Sequence, residues 1–161
     1  MTKPPSSASG AADVAVFLQD ERQAVLDAAS ASLARMHVRH YESTGPGTVE
    51  ERLALLFDQL VESIARRDLS PVVEHARSIA TERFHAGYDL AEIQTAFNAL
   101  EEATWMRVLQ RLDASELAEA LGLISTVLGA GKDALARAYV SLAADTNVES
   151  LDLRALFAGT S

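Results

Sequence analysis

The residues best equipped for chemistry lie in one window, "ERFHAGYDLAEIQTAFNALEEATW", Glu82 to Trp105. His85 has Glu82 at i−3 and Asp89 at i+4, so a helix could bring a carboxylate beside the imidazole, as a general base requires. The spacing of the same residues meets another demand. Asp89 and Glu92 stand three apart, as a capping box does where a helix begins. Gly87 suits the left-handed residue that closes a helix, and Tyr88 can staple against Ile93. His85 then falls in the last turn of the preceding helix, where an imidazolium meets the negative end of the dipole. The window reads as a joint between two helices, not as a catalytic centre.

The other chemical candidates are thinner. His37 and His40, at i and i+3 with Glu42 nearby, could share a metal, but the spacing supplies no third ligand. "GAGKD" at 129–133 looks like a phosphate loop, yet it lacks the preceding glycine, the Ser/Thr and the strand; helix packing is the expectation. Glu101 and Glu102 are expected on a solvated face, and no facing Glu-x-x-His pairs suggest a di-iron bundle. The absence of cysteine removes thiolate sites and disulfides. Trp105 is the only tryptophan and is expected in the core. With no nucleophile, base and orienter together, neither a catalytic residue nor a metal is assigned, and no enzyme is expected.

The elements that would position these groups are helices throughout. A first helix is expected over about Ala12–Arg39, with Val14, Leu18, Val25, Ala29, Leu33 and Met36 on one face. "YESTGPGT" reads as a loop, and Thr48 with Glu51 as the capping box of a second helix carrying Leu53, Leu56, Leu60 and Ile64. Ser70 reads as the next N-cap with Pro71 at the first helical position; Val72, Ala76, Ile79 and Ala80 form that helix's stripe. A fourth helix buries Leu90, Ile93, Phe97, Leu100 and Thr104, running round to Val108 and Leu112. Asp113 and Glu116 open a fifth, over about Ala114–Ala144, whose seam runs Leu117, Leu121, Ile124, Leu128, Gly131, Leu135, Ala138 and Leu142. Gly129 and Gly131 predict a kink or a close helix crossing there. No strand is expected. The fold class is all-α, a single bundle of about five helices, with a flexible N-terminus and a short amphipathic C-terminal tail.

Three regions follow: 1–11 as a disordered lead-in, 12–145 as the helical domain, and 146–161 as the tail. The tail places Leu151, Leu153, Leu156 and Phe157 within seven residues. It either folds back on the bundle or lays an apolar face in a partner's groove. The net charge of −9 disfavours nucleic acid or an anionic membrane surface as partner. There is neither a signal peptide nor a run of the roughly 20 apolar residues that span a bilayer, so the cytoplasm is the expected location.

The stretch "HARSIATERFHAGYDLAEIQTAFNALEEATW" resembles the amino-terminal domain of RsbR/RsbRD-type stressosome co-antagonists over roughly residues 20–145. Arg83, Gly87, Tyr88, Leu90 and Glu92 fill the family's arginine-bearing helix and "G-[YF]-x-L-x-E" joint. The resemblance implies a globin-like helical bundle without haem, usually dimeric, acting in signal reception or protein–protein regulation. It implies a regulatory partner such as a switch kinase or a STAS protein. Family members continue into an output module, and this sequence stops after its tail. The expected function is a non-enzymatic sensory or regulatory domain of bacterial stress signalling with no cofactor, working as a homodimer and through a partner protein. Helices one and five are the expected dimer surfaces, and Leu151, Leu153, Leu156 and Phe157 the partner contact. The alternative is a globin-like ligand or haem sensor with His75 or His85 as proximal ligand.

Overall fold

In a computed structural model the chain is described over residues 7–36 and 46–150, with side chains over 10–36 and 48–146. Six helices occur among the described residues, and no strand. They are α1 (Ser7–Asp20), α2 (Arg22–Met36), α3 (Pro46–Arg66), α4 (Ser70–His85), α5 (Leu90–Arg111) and α6 (Ala114–Ser150). Helix α6 packs along α4 and α5, α2 lies against α5 and α3, and α1 closes on α3. Stripe residues form most of the core: Leu18, Val25, Leu60, Ile64, Val72, Phe97, Leu100, Ile124, Leu128 and Leu135 are all fully buried, and Leu26 and Phe57, which belong to no expected stripe, join them. Each such side chain contributes about 1.5–3 kcal/mol relative to exposure.

The first expected helix is two helices, because the chain breaks at Glu21. The adjacent residues are held from different sides. Glu21 pairs with Arg107 of α5 and, at 3.4 Å, with Arg111. Arg22 grips Asp58 of α3 through a fork of 2.9 and 3.2 Å. Helical hydrogen bonds still run through the junction, from the Glu21 N–H to the Phe17 carbonyl at 3.1 Å and from the Val25 N–H to the Glu21 carbonyl at 3.0 Å. Met36, expected on the buried face, is exposed at the end of α2.

Two expected starts move. Helix α3 begins at Pro46, so Thr48 and Glu51 lie inside its first turns; proline is well suited to open a helix because its missing N–H would have had no partner. At α4 the N-cap position is Leu69 and Ser70 is the first helical residue; the Asp68 carboxylate just outside accepts the Ser70 N–H at 2.9 Å and the hydroxyl at 2.7 Å. Those bonds, and more weakly Arg66, hold the Asp68 pKa below the usual carboxylate range. Ser63 Oγ of α3, itself buried, accepts the Val72 N–H at 3.1 Å.

Helix α6 is unbroken through its glycines. Gly131 serves as a close crossing: a Cβ there would stand 3.0 Å from Val72 Cγ2 and 3.1 Å from Phe97 Cε1. Gly129 has no such neighbour. The helix has 37 residues, about 55 Å at 1.5 Å each. Among its described side chains Tyr139 is the last that is buried, and beyond it only Leu142 is even half-buried. Leu151, Leu153, Leu156 and Phe157 lie outside the described residues, as do His37, His40 and Glu42.

Candidate functional site

Residues Ala86 to Asp89, inside the Glu82–Trp105 window, form the joint between α4 and α5. Helix α4 ends in a Schellman turn: the Gly87 N–H donates to the Phe84 carbonyl at 3.1 Å and the Tyr88 N–H to the Arg83 carbonyl at 3.0 Å. Gly87 sits at φ 83°, where a side chain is strained. Asp89 and Glu92 then form the expected capping box, with the Asp89 N–H bonded to Glu92 Oε2 at 2.8 Å.

Tyr88 is the hub of this joint. Its ring is buried, and the guanidinium carbons of Arg83 and Arg52 lie 5.5 and 5.7 Å from its centre. Arg52 Nη1 donates to the Tyr88 hydroxyl at 2.8 Å, and the Tyr139 hydroxyl donates to the Tyr88 carbonyl at 3.0 Å. Phe84 meets the Tyr139 ring edge-on at 5.6 Å between centroids. One residue thus ties α3, the end of α4 and α6 to the start of α5, a larger task than the expected staple on Ile93.

A cavity of about 500 Å³ opens beside the hub, between α3, α4 and α5. Its walls include Leu53, Leu56, Ile79, Ile93 and Phe97, with Arg52, Arg83 and His75 as polar groups and Glu51 and Glu82 among the remainder. Arg83 is 6% exposed and pairs with Glu82, whose own side chain is 63% exposed. His75 is half-buried; burial first, then the positive charge of Arg83, holds its pKa below the usual histidine value, with Glu82 pulling the other way.

The two histidines named as haem ligands separate here. His75 lines the cavity, whereas His85 is exposed, with its ring edge-on to Phe84. Two further expectations are corrected. Trp105 is 38% exposed and forms an outward cluster with Met106 and Leu109, both exposed, on α5. Glu101 is not on a solvated face, since Lys132 of α6 reaches across to bond it at 2.7 Å. No grouping of three metal-ligating side chains occurs among the described residues.

In the sequence Arg83 stood out only through the family pattern, and Glu21 and Tyr139 did not stand out at all. The signal was available. Arg83 follows Ala76 and Ala80 at helical spacing, and Glu21 lies between Leu18 and Val25 on the apolar face. A charged residue on such a stripe is buried with a partner or bends the helix to find one.

No curated protein matches this chain. Over residues 23–149 it matches the family described as the RsbT co-antagonist protein rsbRD N-terminal domain. The matched span holds all of α3, α4 and α5 and nearly all of α2 and α6, and with them the Tyr88 hub and the cavity. This chain therefore belongs to the RsbRD N-terminal domain family, a family of regulatory domains in stress signalling.

Proposed function

We infer that this protein is a non-enzymatic sensory and regulatory domain of the bacterial cytoplasm that self-associates and acts by binding a partner protein of the stressosome type. The family match over residues 23–149 carries this reading. Two features support it. Trp105, Met106 and Leu109 lie at i, i+1 and i+4, a cluster of large apolar side chains turned to solvent on α5, which is the expected fourth helix and not the first or fifth; a second copy of the chain is their occupant in this reading. Helix α6 runs on past Tyr139, the last buried of its described side chains, and is followed in sequence by the Leu151–Phe157 segment, the proposed contact for a switch kinase or STAS protein. The bundle is read as globin-like on the family resemblance.

Two measurements test it. Light scattering should give a dimer for the full chain and a monomer for Met106→Asp/Leu109→Asp, with helical content unchanged. Co-purification with the switch kinase and the STAS protein of the same organism should succeed with the full chain and weaken when 151–161 are removed. A monomer that captures neither protein sinks the reading.

A second reading, haem held by a histidine, now rests on His75, the one of the two named histidines that faces the cavity. A Soret shift on haemin addition, lost in His75→Ala, is what it requires.

A further inference from the structure

We propose that the cavity between α3, α4 and α5 is a binding site for a small carboxylic acid with an apolar body, its carboxylate held by Arg83 and Arg52. The volume of about 500 Å³ is within the range of small-molecule sites. The walls fix the body of the ligand: Leu53, Leu56, Ile93 and Phe97 are buried residues that offer hydrocarbon to the space. The polar lining fixes the head. Both guanidiniums flank Tyr88 at the same end, and a guanidinium presents a donor fork matched to a carboxylate.

Arg83 is the informative residue. Arginine is rarely so buried without a close acid partner, and its partner here, Glu82, has most of its side chain in water. Glu82 engages Nη1 of a group that carries five N–H donors, so an incoming carboxylate finds donors remaining or displaces Glu82 outward. Burial, and then the Arg83 charge, hold the His75 pKa below the usual histidine value, which disfavours a third positive charge at the site. A polyanion such as a nucleotide is disfavoured, because Glu51 and Glu82 share the lining and the whole chain carries a net charge of −9. One negative charge on an apolar body is what the cavity accommodates.

The site is also wired to the rest of the bundle. A carboxylate that draws either guanidinium from the Tyr88 ring acts on a residue whose carbonyl is bonded by Tyr139 of α6. This gives the sensory role a ligand class, and it rests on that reading only for its biological meaning. Binding is measured on the chain alone, so its failure is distinct from failure to capture a partner.

The test titrates the full chain with octanoate, and separately with octanol, by calorimetry and amide NMR. Octanoate should saturate with a Kd on the order of 1 mM or tighter, shifting amides around Arg52, His75, Arg83 and Ile93. Octanol, lacking the charge, should bind at least about tenfold more weakly. Arg83→Met and Arg52→Met should each weaken octanoate about tenfold or more and leave octanol unchanged. Should Arg83→Met fail to fold, Leu55→Glu decides beside Arg52→Met: Leu55 is exposed on the lining, and a carboxylate there should repel octanoate and leave the core intact. Equal binding of octanol, undiminished octanoate binding in the folded variants, or no saturation below about 10 mM overturns the proposal.

Discussion

The Tyr139 hydroxyl donates a hydrogen bond of 3.0 Å to the carbonyl oxygen of Tyr88, 51 residues earlier in the chain. It fastens α6 to the α4–α5 joint at the level where α6 leaves the core. Tyr139→Phe keeps the ring, and its contact with Phe84, but removes this donor from a buried carbonyl. The expected cost is about 1 kcal/mol, read as a fall in Tm of about 2–4 °C for a chain of this size. A Tm equal to that of the unmodified chain would mean that the bond contributes nothing.

Among the described residues, two hold the left-handed position at helix ends, and they are chemically unequal. Gly87 has φ 83° and Arg67 φ 53°. At α3 the turn is the same Schellman motif, with the Asp68 N–H bonded to the Ser63 carbonyl at 3.1 Å. Arginine pays about 1–2 kcal/mol for that conformation, which glycine does not. Arg67→Gly should raise stability by up to about 1 kcal/mol, since added unfolded-chain freedom offsets part of the relief. Gly87→Ala should lower it by about 1 kcal/mol through the backbone alone, because its Cβ would meet nothing within 4 Å. Urea denaturation of the two variants should move the midpoints in opposite directions.

The glycines of α6 offer an internal control. Alanine is worth about 1 kcal/mol over glycine in a helix interior. Gly129→Ala meets open space and should stabilise by about that amount. Gly131→Ala gains the same propensity but presses on Val72 and Phe97, both buried and unable to give far. Its net effect should be zero or negative, and Gly131→Leu should be destabilising by several kcal/mol. If the two alanine variants melt alike, the crossing is looser than its geometry says.

The helices and their buried faces were legible because periodicity is a local property, repeated many times along each element. Leu53, Leu56, Leu60 and Ile64 share a face whatever packs on it, and all four are buried. The α4–α5 joint was legible for the same reason, since glycine, cap and box are short-range signals. What the sequence concealed depends on pairs far apart. Glu21, at the break, is paired with Arg107, 86 residues on, and the part-buried Glu101 with Lys132, 31 residues on. The exposure of Trp105 depends on which neighbour is missing from that side of α5. The cavity is a space between three helices and has no sequence signature, although Arg83 on an apolar stripe marked one wall.

The Glu21 cluster should respond asymmetrically to substitution. Removing the arginines leaves a carboxylate whose side chain is 10% exposed without compensation, whereas Arg107 and Arg111, at 34% and 59%, can turn to water if Glu21 is removed. Arg107→Ala/Arg111→Ala should therefore cost about 2–4 kcal/mol, and Glu21→Leu, which joins Leu18 and Val25 in the core, about 1 kcal/mol or less. Chemical denaturation of both variants compares them directly. Equal losses would mean that the charge pair itself, and not the stranded carboxylate, sets the energy.

His75 should make stability depend on pH in a defined direction. Its folded-state pKa lies below the usual 6.5, through burial and then the charge of Arg83, opposed by Glu82. The unfolded chain therefore takes up a proton as pH falls through about 6.5 while the folded chain does not, so acid favours unfolding. Above that value the imidazole is neutral in both states and contributes no slope. The loss begins as pH drops through 6.5 and ends once the folded histidine also protonates. His75→Gln removes the titration and retains a polar side chain at the cavity. Carboxylates and the other histidines titrate in both proteins, so the difference between the two Tm profiles from about pH 7.5 to 5.5 isolates this group. The profiles should run parallel above 6.5, with the histidine form losing ground below it; profiles parallel throughout would show that His75 protonates freely in the folded state.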